Sequence, residues 1–445
     1  MTERPKEAKP PQVAEGSKRG GEAQKARARV EPSVWTERML TALETGVKGG
    51  KWYSLIDKVT RPETLRAAWK SVRRNKGAAG VDGQSVHAFA GRAEREIQKL
   101  TEELREGRYE PKLVKRVYID KPGSRKKRPL GIPAVRDRVV QGALRSVIEP
   151  IFEREFVERS YGFRPERGCK DALRQVERLL RSGARHVVDL DITGYFDAIP
   201  RERLLEEVQR KIADGRVVEL VDRYLRQGVL EDGQRWEPEK GTPQGAVISP
   251  LLGNIYLHPF DVAMAQAGWE IVRYADDMVI LCRSREEAEA ALKQARELLE
   301  ARGLSLSEEK TRIADEQAEG FDFLGYHFER GTRWPRKKSL KKLKDTIRAK
   351  TKRMNGHSLD QIITEVNQTV RGWYEYFRHS RRFTFAWVDG WIRMRLRSIL
   401  RKRMKRRGRG RGRDHQRWPN SFFRDKGLFI MSEAPRLNRQ LLTDH

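Results

Sequence analysis

Asp191 follows the apolar run Val187-Val188-Asp189-Leu190, and Asp276-Asp277 separates two others, Ile271 to Ala275 and Met278 to Leu281. Carboxylates are the ligands that hard divalent cations prefer. Two such ions about 3.5 to 4 Å apart activate an attacking hydroxyl and steady a leaving oxygen in a displacement at phosphorus. The chemistry open to these aspartates is therefore metal-assisted nucleotidyl transfer. An isolated Asp-Asp pair is more often an ordinary hairpin tip, so the decision rests on what surrounds it.

The surroundings read as strands. Side chains alternate across a strand, so neighbouring aspartates reach one site together only at a tight turn, and a hairpin at Asp276-Asp277 supplies it. Val187 to Ile192 is expected as a strand, Arg283 to Arg302 as an Ala/Glu/Leu-rich helix, and Phe321 to Phe328 as a further strand. Upstream, Val114 to Ile119 alternates like a strand, and Lys121 to Arg128 is a basic Pro-Gly loop. Val139 to Ile148 has helical periodicity with a stop at Pro150. Trp35 to Arg105 reads as helix, loop (Asn75 to Gly83), helix.

The chain has 445 residues with 93 Lys plus Arg against 63 Asp plus Glu, a net charge of +30. That length suits two or three packed units, and that charge suits a polyanion, of which nucleic acid is the commonest. No segment reaches the roughly 18 apolar residues of a spanning helix, and the first 30 residues lack an apolar signal stretch. A cytoplasmic protein without a membrane partner is expected. Cys169 and Cys282 have no CxxC or paired histidines, so neither zinc nor a disulfide framework is expected, and both read as small buried residues.

Residues 1–30 have almost nothing large and apolar to bury and read as a disordered basic tail. From Arg330 to Arg413 there are 28 Lys plus Arg against 5 Asp plus Glu, with Trp373, Tyr374, Tyr376, Phe377, Trp387 and Trp391 interleaved. A second, mostly helical domain is expected there, its aromatics as helix core. Its cations Arg371, Arg393, Arg395, Arg397, Arg401, Lys402 and Arg403 are expected on nucleic-acid phosphate, since a charged face is not buried unpaired. Arg401 to Arg413 reads as a flexible Arg/Lys/Gly run.

Arg273-Tyr274-Ala275-Asp276-Asp277-Met278-Val279 resembles the central box of reverse transcriptases. It stands in order with Lys115 to Gln141 (KRVYIDKPGSRKKRPLGIPAVRDRVVQ), Ser160 to Cys169 (SYGFRPERGC) and Val188 to Ile199 (VDLDITGYFDAI). Gly241 to Leu257 (GTPQGAVISPLLGNIYL), Gly303 to Ile313 (GLSLSEEKTRI) and Phe321 to Phe328 (FDFLGYHF) follow. Together they resemble group II intron-encoded reverse transcriptases, or maturases. Asn367 to Phe377 (NQTVRGWYEYF) is similar to that family's thumb, and Arg417 to Phe429 (RWPNSFFRDKGLF) to the tail of its bacterial class C members.

The resemblance implies an α+β right-hand polymerase, with fingers and an antiparallel palm sheet followed by an α-helical thumb. The boundaries expected are 31–105 for an N-terminal extension and the start of the fingers, 106–329 for fingers and palm, 330–405 for the thumb, and 406–445 for a basic tail that binds DNA or RNA. The loop Asn75 to Gly83 resembles the part of that extension that covers the template. It also implies that Asp191, Asp276 and Asp277 are catalytic and hold two Mg²⁺ ions, with Asp189 behind them. Lys121 and Arg128 would grip the triphosphate, with Arg125, Lys126 and Lys127 beside them; Phe196 would pack under the incoming sugar. Gln244 would contact the nucleotide, and Lys310 matches a lysine near the active site.

The activity implied is RNA-directed DNA synthesis on an RNA template and DNA primer from dNTPs, copying the intron RNA for retrohoming into target DNA and binding that RNA to assist splicing. A non-catalytic RNA-binding maturase and a free-standing reverse transcriptase serving defence or repair are the alternatives. The three clustered aspartates favour catalysis over the scaffold reading. Only 16 residues follow Phe429, so a C-terminal His-Asn-His endonuclease is not expected.

Overall fold

The computed structural model describes residues 34–120, 127–354, 356–406, 408, 410 and 412–434. The expectations for residues 1–30 and for Lys121, Arg125 and Lys126 lie outside these residues.

Strands β1 (Val114–Asp120), β2 (Lys127–Ile132), β3 (His186–Asp191), β4 (Val229–Glu231), β5 (Gln234–Trp236), β6 (Glu270–Tyr274), β7 (Asp277–Cys282), β8 (Arg312–Asp315), β9 (Phe321–Phe323), β10 (Tyr326–Glu329) and β11 (Thr332–Pro335) form three sheets. Their orders are β2-β1-β4-β5, β6-β7-β3-β8 and β11-β10-β9. The second, the palm sheet, is antiparallel throughout.

Strand alternation decides what each palm face meets. Val188, Leu190, Met278 and Ile280 enter the largest core, with helices Val135–Glu153, Ser249–Gln266 and Arg285–Ala301. Val187, Val279 and Leu281 enter another core, made with helix Cys169–Arg181 and with β9 and β10. Asp189, Asp191 and Asp277 fall on this second face by the same period of two.

Two readings of local structure are corrected. Pro150 was expected to stop a helix, yet it lies inside Val135–Glu153. Proline cannot donate to the carbonyl four residues back, here Ser146, and Trp35 Nε1 donates to that oxygen at 3.0 Å in its place. Phe321 to Phe328 is two strands, because the chain turns at Leu324, whose φ is 45°.

Helices Lys337–Lys350, Leu359–Phe377 and Arg382–Arg403 build the thumb core. Phe385, Val388, Ile392, Leu396 and Ile399 recur every three or four residues and so form one buried stripe. The reading of 401–413 as flexible and of 406–445 as a tail is corrected for the residues described. The third helix continues to Arg403, and Trp418, Phe423, Leu428, Ile430 and Met431 fill the same core. Polar clamps hold this strap. Asn367 Nδ2 donates to Gly427 O at 2.7 Å and its Oδ1 accepts from Phe429 N at 2.8 Å. Asp389 accepts from Met431 N at 3.2 Å and from Ser432 N at 2.9 Å.

Arg397 is a third clamp, and its assignment to nucleic acid is corrected. It is buried, with Nε on Trp418 O and Nη2 on Asn420 Oδ1, each at 2.8 Å, and its guanidinium over the Phe423 ring. Arg397→Ala strands those acceptors, so thermal or denaturant unfolding is expected to register a loss of about 1–3 kcal/mol. The exposed neighbour Lys402→Ala is expected to stay within about 0.5 kcal/mol of the parent.

Candidate active site

Tyr274 and Asp277 pair across β6 and β7 and close a two-residue loop, Ala275-Asp276. Ala275 has φ 58°. Hairpins with a positive φ at the first loop residue take glycine there, and another residue pays about 1–3 kcal/mol in strain. The loop is held from inside by Arg273, which is 1% exposed. Arg273 Nη1 donates to Ala275 O at 3.0 Å and to Asn254 Oδ1 at 2.9 Å, while Nε donates to the two Asp261 oxygens at 2.8 and 3.0 Å. Asn254 Nδ2 donates to Gly162 O at 2.8 Å. Gly162 lies flat against the loop, since a Cβ there would stand 2.2 Å from Ala275 N. Glycine is the residue that permits this approach.

Asp191 and Asp277 face each other in register across β3 and β7. Lys310 Nζ lies 2.8 Å from Asp191 Oδ1, and that hydrogen bond holds its ammonium above the usual lysine range. Desolvation by surrounding protein, and then the Asp276 charge, pushes Asp277 up to about 6. Asp189 is likewise raised to about 6, mainly by burial, with Arg312 3.8 Å away opposing the shift. Among the described residues, no three acidic, histidine or cysteine side chains stand close enough to chelate an ion as they are. The donor set is nonetheless all carboxylate, crowded with like charge and open to solvent at Asp276, which suits a hard divalent cation.

On the fingers side, Arg128 Nε donates to Gln244 Oε1 at 3.3 Å, and Gln244 Nε2 donates to Asp197 Oδ2 at 2.9 Å. Gln244 O accepts from Gly131 N at 2.6 Å, joining this loop to β2. Gly245, with φ 108°, has no room for a side chain: a Cβ would meet Gly131 O at 2.3 Å. Phe196 is half-buried against Tyr195 and Gly253. Arg128, Gln244 and Phe196 thus converge on the palm's fingers edge, and Asp197 joins them unforeseen. Its signal was a third acidic residue in the Val188 to Ile199 motif, next to Phe196.

The thumb cations do not make one face, because residues two apart on a helix point to different sides. Arg395 Nη2 donates to Thr351 O at 2.8 Å and its Nε to Thr351 Oγ1 at 3.0 Å. Arg401 pairs with Asp414, Arg403 donates to His357 O, and Arg393 is half-buried. Arg371 and Lys402 are exposed, Arg371 lying over the Phe429 ring at 4.4 Å. A basic aromatic face exists elsewhere on the thumb. Lys344 Nζ stands 4.2 Å over the 44% exposed Trp387, and Arg348 stands 5.7 Å over Trp391. Trp387 and Trp391 are both expected in the helix core; Trp391 does pack against it, and the exposure of Trp387 corrects the reading for that residue alone.

An antiparallel palm with aspartates paired across its central strands, a β-sheet fingers edge and a helical thumb define a right-hand nucleotidyl-transfer polymerase. Residues 119–328 match the reverse transcriptase (RNA-dependent DNA polymerase) family, and residues 340–418 match the group II intron maturase-specific domain. The chain is 35% identical over 313 residues to the protein YkfC of Escherichia coli K12, covering 61% of this chain and 82% of that protein. It is 38% identical over 221 residues to the group II intron-encoded protein LtrA of Lactococcus lactis, covering 49% of this chain and 36% of LtrA. A Saccharomyces cerevisiae COX1/OXI3 intron 1 protein is 25% identical over 329 residues, covering 62% of this chain and 39% of that protein. The chain belongs to the group II intron-type reverse transcriptases with a maturase domain, and it is an RNA-directed DNA polymerase of that class. Among the described residues, no helix is long and apolar enough to cross a membrane.

Two substitutions test the bracing of the loop. Arg273→Met leaves Asp261 buried without its partner and is expected to cost about 3–5 kcal/mol in denaturant unfolding, most of it recovered by adding Asp261→Leu. Gly162→Ala must push the Ala275 backbone aside, and a misplacement of about 1 Å at a reacting centre costs about a hundredfold in rate. Primer extension by Gly162→Ala is expected to fall by that order, and a rate within threefold of the parent would refute the close contact.

Proposed function

We propose that this chain copies a group II intron RNA into DNA for insertion at a DNA target and binds that RNA to assist its splicing. The observation that carries the catalytic half is the in-register pair Asp191 and Asp277, with Asp276 on the strained loop beside them. Reverse transcriptase domains use divalent metal ions, and in this reading Asp191, Asp276 and Asp277 hold two Mg²⁺. When bound, these ions supply activation of the primer hydroxyl and charge relief at the leaving pyrophosphate.

The remaining roles belong to the protein's own side chains. Arg128 offers a planar fork to the triphosphate, and Gln244, tethered by Asp197, offers its amide to the nucleotide beside it. Lys121 joins this grip by resemblance alone. Phe196 forms the floor under the sugar, where a 2′-hydroxyl would meet the ring. Lys310 neutralises Asp191 and keeps a proton donor at the carboxylates.

RNA and target DNA are assigned to the exposed thumb cations, because a neutralised phosphate releases condensed counterions whatever the sequence. Arg371, Lys402 and Arg403 remain candidates, and Lys344 and Arg348 with their tryptophans join them.

The test is primer extension on a primed RNA template with Mg²⁺. Asp276→Ala is expected to abolish DNA synthesis while leaving RNA affinity within about twofold, since a side chain on an exposed loop holds no core together. Loss of both would mean that Asp276 serves folding. Lys344→Ala is expected to weaken RNA and DNA binding alike and to reduce the salt dependence of binding by about one ion. An unchanged salt slope would remove this face from the interface.

A further inference from the structure

Phe163 combines two properties that a side chain without a task does not keep. Its backbone is left-handed, with φ 59°, and its ring is 46% exposed. A left-handed aromatic residue is strained, and such strain persists where the surrounding structure imposes it. Here the imposing residue is its neighbour. Arg164 is 6% exposed, with Nε and Nη2 on the Glu153 carboxylate at 2.9 and 2.8 Å and Nη1 on Val157 O and Ser160 O, each at 2.6 Å. On the other side, Gly162 is pinned against the catalytic loop through Ala275 N and Asn254. Between two fixed residues, the Phe163 ring can only be thrust outward.

It is thrust out beside the reacting centre. Gly162 touches the backbone of Tyr274 and Ala275, and the Phe163 ring centroid is 6.3 Å from that of Tyr274. Phe163 and Asp276 each lie one residue beyond that contact, so each Cα is only about 3.8 Å further on. The side of the loop also matters. Tyr274 packs against the same core as Tyr376 and Phe377 of the thumb helix Leu359–Phe377. The Arg128–Gln244–Asp197 cluster belongs instead to the fingers edge. An aromatic ring on the thumb side of the carboxylates therefore meets the strand already made and leaves the incoming nucleotide to the fingers.

We infer that Phe163 is a substrate contact for the primer–template duplex, packing its exposed ring on the sugar and base of the nucleotide next to the primer's reacting end. Apolar packing of this kind is indifferent to sequence, as a polymerase requires, because every nucleotide presents a sugar and a flat base. The inference rests on the polymerase reading above and adds a duplex-binding residue to it.

The experiment uses the full chain and a fluorescent DNA primer annealed to RNA. Binding is read by anisotropy without dNTPs, and extension by steady-state kinetics. Phe163→Ala is expected to raise both Kd and KM for primer–template about tenfold, the effect of losing one stacked ring. The KM for dNTP is expected to stay within twofold, and Phe163→Tyr to restore the parent values. Phe163→Gly separates contact from folding, since glycine accepts the left-handed backbone: its melting temperature is expected to equal or exceed the parent's while duplex affinity falls as in Phe163→Ala. A folded Phe163→Gly variant with parental duplex affinity overturns the proposal, as does a defect confined to the KM for dNTP. Failure of the parent chain to extend any primer would overturn the polymerase reading instead, and the anisotropy arm would still judge Phe163.

Discussion

A guanidinium buried in a palm keeps its charge only if the protein replaces the water it has lost. Arg273 meets that condition with Asp261, Asn254 and the carbonyl of Ala275, three acceptors from two separate elements. The requirement works in both directions. The acceptors satisfy the cation, and the cation fixes where a helix, a hairpin and, through Asn254, the Gly162 segment stand relative to each other. The two carboxylates at the tip of that hairpin inherit their position from a charge that never reaches the substrate. An apolar residue in its place would fill the volume without recording a direction.

The carboxylates were legible because their period and neighbours are local. Asp191 and Asp277 end or begin apolar strands, and alternation alone puts them on one face once the two strands pair. The brace was less legible. Arg273 stands after Ile271 and Val272, and a charge in such a run announces a buried partner, but nothing nearby in the sequence identifies that partner as Asp261 on a preceding helix. Pro150 misled for the same reason: its consequence depends on Trp35, more than a hundred residues away, which takes over the hydrogen bond that proline cannot make.

The basic thumb shows how composition overstates surface. Arg397 was expected on phosphate and is instead an internal clamp, Arg395 is tied to Thr351, and Arg401 is tied to Asp414. Each carries the charge that makes the segment look like a ligand face, and each uses its directional donors to hold backbone or side-chain oxygens within the domain. Burying an arginine this way also lets its guanidinium stack on an aromatic face, as that of Arg397 does on Phe423. Surface charge for a polyanion is what remains after these internal uses are subtracted.

The strap has a consequence for the order in which the protein is made. Its apolar residues, from Trp418 to Met431, complete a core whose three long helices are all finished by Arg403. During synthesis the stripe of Phe385, Val388, Ile392, Leu396 and Ile399 leaves the ribosome before the segment that closes over it, while every strand of the palm has already emerged. For that interval the thumb is a sticky, half-roofed bundle attached to a palm that is free to fold, and a chaperone can meet it before its own chain does.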